Sequence, residues 1–146
     1  RRNAHAQSRH RGEIAARQRL EEACQNNEGC VTVNKNACPP GTPYQDVPGG
    51  CTSIGDIPSS ALETLIGIQK TCNCTVIITG GSELGHQTHG PGLPVVDLSF
   101  NNTLANYLKN NIASLGIDAI CTAPQDAQYR YNCNADEQER HLHIDF

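Results

Sequence analysis

The chain has 146 residues, a length typical of one domain with a short appendage. Aromatic residues make up only 4%, and tryptophan and methionine are absent, so Ile, Leu, Val and Ala must build the core. The sequence contains no apolar run of about 18 residues, which excludes a membrane-spanning helix in this chain. Because the chain begins at Arg1 and shows no signal peptide, we interpret it as a mature or truncated product.

The formal net charge is −4, but its distribution along the chain is uneven. Residues 1–20 contain six arginines and a single acidic residue, Glu13, and so form a basic arm on an acidic body. Such an arm is typical of a solvated helix, or of a segment that contacts phosphate polymers or anionic surfaces. It lacks the aromatic residues on which bases stack, so we predict no nucleic-acid partner.

Cysteine is frequent for a chain of this size, and the eight residues are Cys24, Cys30, Cys38, Cys51, Cys72, Cys74, Cys121 and Cys133. An even count at scattered spacings predicts disulfides, and therefore an extracellular, periplasmic or cell-surface location. The rival interpretation is a zinc site made of cysteines, which favours Cys-x2-Cys pairs, whereas Cys72 and Cys74 are separated by one residue. Eight cysteines allow about 105 pairings, so the connectivity stays open, although Cys133 could bond Cys121.

The first third of the chain divides into an arm and a loop-rich segment. Residues 8–24 are rich in Ala, Arg, Glu and Leu, which predicts a helix whose thin apolar stripe packs weakly on the body. We interpret residues 1–24 as a helical arm or stalk, or as a helix completed by another chain, in which case the chain could self-assemble through it. Residues 25–57 are rich in Pro, Gly and Cys, which predicts an irregular segment tied by disulfides, with a short strand at 31–33.

The third segment, residues 58–146, is predicted to form the main domain. Its elements, in chain order, are a helix at 58–70, strands at 75–79 and 93–100, a helix at 103–115, and strands at 117–121 and 141–146. Ser60 and Glu63 make a capping box for the first helix, and Gly116 ends the second. This order predicts an α+β fold, with a small, mainly antiparallel sheet flanked by helices, an N-terminal Arg-rich helix and several disulfides.

The C-terminal strand carries one half of a candidate site. Because side chains alternate between the faces of a strand, its apolar residues point to the core, and His141, His143 and Asp145 share the other face. Two imidazoles that point the same way are suited to binding a metal ion, although an edge strand with solvated histidines would show the same pattern.

The other half lies in the glycine-rich loop of residues 80–92 and the strand after it. The loop contains His86 and His89, and Asp97 follows within an apolar run. Four of the six histidines thus lie in two short segments. Two His and one Asp leave a fourth tetrahedral position open, which is the arrangement of a catalytic rather than a structural zinc site.

Taken together, these segments resemble a known family. A glycine-rich loop with a His, a Val-Val-Asp-Leu strand and a final His-x-His strand are similar to the group of lysostaphin-type peptidases, D-Ala-D-Ala metallopeptidases and hedgehog amino-terminal domains. In the D-Ala-D-Ala branch the first motif reads S-x-H-x-x-G-x-A-x-D. Residues 88–97, THGPGLPVVD, resemble it with one additional residue between His89 and Asp97. The resemblance covers about residues 58–146, and Leu142 replaces the aromatic residue that is usual beside the last His.

The resemblance implies a zinc cofactor bound by His89, Asp97 and His143. It also implies that Glu137, four residues before His141, is the general base and that His141 stabilises the oxyanion. Glu137 lies in an acidic run, so a solvated surface carboxylate is the alternative interpretation. His86 is either a residue that positions the ligands or a rival ligand, because it shares a loop with His89.

Two functions follow as expectations. The first is an exported zinc-dependent peptidase acting on peptidoglycan stem peptides, either a D-Ala-D-Ala carboxypeptidase or a crosslink endopeptidase. The second is a non-catalytic cell-surface or filament subunit, pilin-like, in which the globular domain has a peptidase-like fold and assembles through the N-terminal helix. In the second case the site is inert or holds a structural metal, because a fold does not by itself imply a function.

Overall fold

The computed structural model describes residues 2–86, 88–134, 139 and 141–146, with the backbone alone for residues 2–10. Within these ranges the fold is α+β, as the element order predicts, with a five-stranded sheet flanked by helices. The helices are α1 (Arg2–Gln25), α2 (Ser59–Cys72), α3 (Asn102–Asn110) and α4 (Ile112–Leu115). The strands are β1 (Val31–Val33), β2 (Val76–Gly80), β3 (Val95–Leu98), β4 (Ala119–Cys121) and β5 (Leu142–Asp145).

The sheet is mainly antiparallel, and its strand order is β1-β2-β3-β5-β4. Only β1 pairs in parallel, with β2, whereas the other three pairings are antiparallel. The last strand of the chain is therefore inserted between β3 and β4. This insertion makes Asp97 of β3 the direct cross-strand partner of His143 of β5.

One face of the sheet packs into the hydrophobic core and the other carries polar groups. On β5, Leu142 and Ile144 are fully buried in the core, and on β3 Val96 and Leu98 pair with them across the strands. The core is completed by apolar residues of α1, α2 and α3. Strand alternation then turns the intervening residues of β3 and β5 to the opposite face, as predicted for His143.

One local prediction about the helices is wrong, and another is confirmed only in part. Helix α2 has Pro58 as its N-cap residue and no side-chain cap, so Ser60 and Glu63 form no capping box. Glu63 instead accepts hydrogen bonds from the Arg19 guanidinium of α1. The predicted helix at 103–115 is divided at Asn111 into α3 and α4, and Gly116 ends the second part with a positive φ of 67°.

The C-terminal half of α1 is fixed to the body more firmly than its thin apolar stripe predicts. The buried Glu13 carboxylate accepts hydrogen bonds from the backbone N–H groups of Ile54 and Gly55, at 2.7 and 2.8 Å. Arg17 donates to Glu13 and to the carbonyl of Thr52. Leaving such buried N–H groups unpaired costs roughly 1–3 kcal/mol each, so polar contacts replace apolar area here. Self-assembly through residues 1–24 stays a prediction.

All eight cysteines are paired, which confirms the prediction of a disulfide-tied chain. The four bridges are Cys24–Cys30, Cys38–Cys51, Cys72–Cys74 and Cys121–Cys133. Each closes a short loop, with a largest sequence separation of 13 residues. The Cys72–Cys74 pair is thus a disulfide and not part of a zinc site. No helix in the described part of the chain is long and apolar enough to cross a bilayer.

Candidate metal centre

The structure brings His89, Asp97 and His143 together on the polar face of the sheet. The Asp97 carboxylate lies between the two rings, with Oδ1 2.8 Å from His143 Nδ1 and Oδ2 3.2 Å from His89 Nε2. All three residues are buried, and the ligand atoms that they offer lie within 4.8 Å of one another. A buried group of two imidazoles and one carboxylate could hold a metal ion.

Gly80 at the end of β2 makes the room for this cluster. The pairing of β2 with β3 shifts register between Ile78 and Gly80, which places Gly80 opposite Asp97. A Cβ atom on Gly80 would lie 2.8 Å from Asp97 Oδ2 and 3.2 Å from the His89 ring. A side chain at this position would therefore displace the carboxylate that joins the two histidines.

The orientation of His89 is set by the backbone. Its Nδ1 lies 2.7 Å from the carbonyl oxygen of Gly81, which can only accept, so Nδ1 carries a proton and donates it. In the neutral ring Nε2 is then an acceptor that faces another acceptor, Asp97 Oδ2. Two acceptors in contact require a cation between or beside them, either a proton on the ring or a metal ion. The backbone contact is the one that metal-binding histidines commonly make.

The charges of the cluster reinforce one another. Burial opposes ionisation of Asp97, yet hydrogen bonds from His143 and His89 outweigh it and hold the pKa of this carboxyl well below its usual range. Burial likewise disfavours the charged form of each imidazole, but the adjacent Asp97 carboxylate raises the pKa of both His89 and His143. The site thus holds an ionised carboxylate that attracts positive charge.

A second group of polar residues supports the loop that carries His89. His86 stacks on His89 with ring centroids 3.7 Å apart, and its other face is stacked on Tyr44. His86 Nε2 lies 2.5 Å from Oε2 of the buried Glu83. The sequence interpretation missed Glu83, although an acidic residue in a glycine-rich loop three residues before a His was a usable signal. Glu83, His86 and His89 form another group that could hold a metal ion.

Glu83 also fixes the backbone of Gly81, to which the His89 ring is hydrogen-bonded. Its carboxylate accepts hydrogen bonds from the N–H groups of Gly81 and Ser53, at 3.0 and 2.8 Å. Burial opposes the ionised form, but the hydrogen bond from His86 and these N–H groups lower the pKa of Glu83 below its usual value. Glu83 is therefore an anion that holds the Gly81 peptide, whose carbonyl orients the His89 ring.

Replacing Glu83 with glutamine is expected to weaken metal binding about 10- to 100-fold, as the loss of a group that orients a ligand commonly does. Glutamine keeps the size of the side chain but removes the charge that pairs with His86. Competition with a chromophoric chelator measures the affinity. Glu21→Gln, on the exposed side of α1, is the matched control. Equal affinities of the two variants would show that the loop orients His89 without this carboxylate.

The two residues assigned to catalysis by the resemblance are placed differently. His141 is half-buried and directly precedes β5, whereas Glu137 lies outside the described residues. In the same segment the structure describes another acidic residue, Glu139, whose Oε1 lies 3.8 Å from His143 Nδ1. The roles of Glu137 and His141 stay predictions.

A polar cleft of about 260 Å³ begins at His143. Its lining includes Asp145, two residues further along β5, and Asp118, which precedes β4. The cleft extends over the same sheet face that carries the cluster. The candidate metal centre is therefore buried on the polar face of the sheet and adjoins a cleft where a ligand can bind.

Comparisons of the chain with protein-family models, with curated proteins and with solved structures found no match. The resemblance stated above therefore depends on its two motifs alone.

Proposed function

We propose that this protein is an exported zinc-dependent peptidase that acts on peptidoglycan stem peptides. The observation that carries the proposal is the convergence of His89 Nε2, an Asp97 oxygen and His143 Nδ1 in a buried cluster beside a cleft. Two imidazole nitrogens and one carboxylate are a ligand set that catalytic zinc sites use, with one position left for the reaction. The substrate class comes from the resemblance of the two motifs, and four disulfides are compatible with an extracellular location.

The residues present fit a zinc ion, because two imidazoles and a buried carboxylate are donors that zinc uses, and the ion would satisfy the two acceptors that meet at His89 and Asp97. A bound zinc ion would supply a Lewis acid for a peptide carbonyl and lower the pKa of a water molecule. The chain would contribute the rest. Asp97 would offset one of the ion's two positive charges, and the Gly81 carbonyl would keep His89 in the tautomer whose Nε2 can bind. Glu137 would take a proton from water and pass it to the amine that leaves when the peptide C–N bond breaks, and His141 would donate to the oxyanion.

The direct test incubates the zinc-loaded protein with soluble stem peptides and with crosslinked peptide dimers, and separates the products by mass spectrometry. We expect release of D-Ala or cleavage of the crosslink, and loss of either activity when zinc is removed by a chelator and not replaced. A fully zinc-loaded protein that cleaves neither substrate would contradict the peptidase proposal.

As pH rises, the stability of the zinc-free protein is expected to fall, whereas the stability that zinc adds is expected to increase. In the absence of metal, the raised pKa values of His89 and His143 give stability that is complete below the unfolded pKa of about 6.5 and is lost as pH rises through the folded values. Zinc requires the neutral rings, so its binding strengthens as pH rises.

Thermal unfolding with and without zinc should therefore show a larger zinc-induced shift at about pH 8 than at about pH 6. At a free zinc concentration roughly 100 times Kd, the added stability is about 2.7 kcal/mol. Magnesium at the same concentration is the control, since this nitrogen-rich ligand set suits it poorly. A zinc shift that is constant across this range would contradict histidine ligation.

A further inference from the structure

The floor of the cleft beside His143 is open because two small residues lie on β4. In the β4–β5 pairing, Cys121 is opposite His143 and Ala119 is opposite Asp145. The side chain between them, Ile120, belongs to the core, so Ala119 and Cys121 face the cleft. Cross-strand neighbours with long side chains would fill the space that the cleft occupies. The cleft thus results from the choice of residues on β4.

The wall opposite the cluster is held in place by several bonds. The Cys121–Cys133 bridge ties the segment 130–134 to β4. Arg130 donates to the carbonyls of Thr122 and Asn134, at 2.7 and 2.9 Å, and the Asn132 amide donates to the Asp118 carbonyl at 2.9 Å. This wall presents Asn132 and Asn134 to the cleft, and Thr88 from the histidine loop lines it too. The space is formed before any ligand arrives.

One exposed carboxylate of the cleft lining, that of Asp118, disfavours anions. The other described lining side chains include Asp145, amides and a hydroxyl, and no lysine or arginine. Asp118 is exposed, so its charge acts on whatever enters from solvent. Asp145 follows His143 by two residues, which corresponds to about 7 Å along a strand. That distance is close to the length of one or two residues of a bound peptide.

We propose that this cleft binds the peptide segment next to the scissile bond and selects segments that carry an amide or an ammonium group over those with a free carboxylate. The inference rests on the proposed function and refines it, since it favours a crosslink endopeptidase over a carboxypeptidase, whose leaving residue bears a carboxylate. Ala119 is then the residue that determines specificity, because its small side chain admits the segment, and Asp118 provides the charge discrimination.

The test measures binding as well as turnover, with the full zinc-loaded chain. The probes are diacetyl-L-lysyl-D-alanyl-D-alanine and the same peptide with a C-terminal amide, titrated by calorimetry or NMR. We expect tighter binding of the amide, on the order of five-fold, the effect of one like charge at about 4 Å in water. Asp118→Asn should reduce the difference in affinity between the two peptides, and added salt should reduce it too.

Larger side chains at Ala119 test whether the peptides bind in this cleft. Ala119→Phe should lower the affinity for both peptides at least ten-fold with zinc content unchanged, and the smaller Ala119→Val should give an intermediate loss. Ala113→Phe, on the exposed side of α4, is the matched control and should bind as the unchanged protein does. If Ala119→Phe unfolds the domain, the affinity of Ala119→Val for the two peptides tests the location of the cleft.

The outcomes separate this inference from the peptidase proposal. The predicted binding pattern without any cleavage supports the cleft and contradicts the peptidase. Cleavage that is unaffected by Ala119→Val and Ala119→Phe supports the peptidase and overturns the cleft. Tighter binding of the free acid than of the amide overturns the proposed selectivity.

Discussion

Replacing His143 with alanine is expected to abolish metal binding and turnover together. The purified variant should contain less than about a tenth of an equivalent of zinc where the unchanged protein holds one, measured by elemental analysis after dialysis. The reason is geometric, because Nδ1 of this ring is the atom that meets Asp97 Oδ1 at 2.8 Å. Two remaining ligands on a zinc ion cannot replace a third that is held rigidly by a central strand.

His141→Ala is the matched control, since it removes the same ring two residues earlier on the chain. His141 is half-buried, and the described contacts of the cluster involve His143 and not His141. We expect this variant to keep its zinc and to lose turnover, because the resemblance assigns His141 to the oxyanion. Zinc lost from His141→Ala and kept by His143→Ala would reverse the two assignments.

The His143→Ala variant also tests the alternative that the cluster is only a buried ion pair. Removing one member of such a pair leaves an uncompensated carboxylate, Asp97, which commonly costs about 3–5 kcal/mol. Thermal unfolding of His143→Ala without metal should then show a large loss of stability. Asp97→Asn removes the charge of this side chain and keeps its shape. It should lower the stability of the zinc-free protein less than His143→Ala does, and it should weaken zinc binding as much.

The faces of strand β5 could be read from the sequence because alternation is local. Leu142 and Ile144 had to enter the core, and this requirement turned His143 to the opposite face whatever the neighbouring strands were. On β3 the sequence showed only an apolar run around Asp97, and in the structure Val96 and Leu98 enter the core while Asp97 lies on the opposite face.

The pairing of β3 with β5 could not be derived from alternation. Strand β5 lies between β3 and β4, and residue 143 meets residue 97 across 46 positions of the chain. Periodicity says which face a residue occupies but not which strand lies beside it, so only the resemblance of the motifs suggested that they meet. The close approach of Gly80 to Asp97 depends on a register shift, which the sequence of β2 does not reveal.

Helix α1 shows why apolar pattern alone underestimates packing. Its docking depends on the buried Glu13 and on Arg17, both of which a hydrophobicity count places in solvent. The capping-box prediction at Ser60 failed for a related reason. The carboxylate that was to reach back to the helix start is bound by Arg19, a tertiary contact 44 residues away in sequence.

The disulfides were predictable in number and not in connectivity. The compartment inferred from an even count required that all eight cysteines pair, and they do. Their partners are near neighbours in sequence, which follows from the fold, since each bridge closes a loop between or beside regular elements. Only Cys121–Cys133 was singled out, because a polar loop returns beside a strand there.

Substitution of Glu137 by glutamine is expected to remove most of the turnover while zinc remains bound. The resemblance makes this carboxylate the general base, and proton transfer by such a group typically contributes about 10²–10⁴-fold to the rate. Turnover and zinc content are measured on the same preparation, with kcat and KM determined separately. A loss confined to kcat is expected, because the base acts on the reaction and not on the binding of the peptide.

Glu139 provides the decisive comparison, since it lies two residues away and its carboxylate faces the candidate ligand atom of His143 at 3.8 Å. That geometry suits an additional contact to the metal region, so Glu139→Gln is expected to weaken zinc binding, with turnover restored at saturating zinc. If Glu139→Gln instead keeps its zinc and loses 10²–10⁴-fold in kcat, while Glu137→Gln is active, the base is Glu139. Full activity in both variants would leave neither carboxylate as the base and would contradict the mechanism proposed for this site.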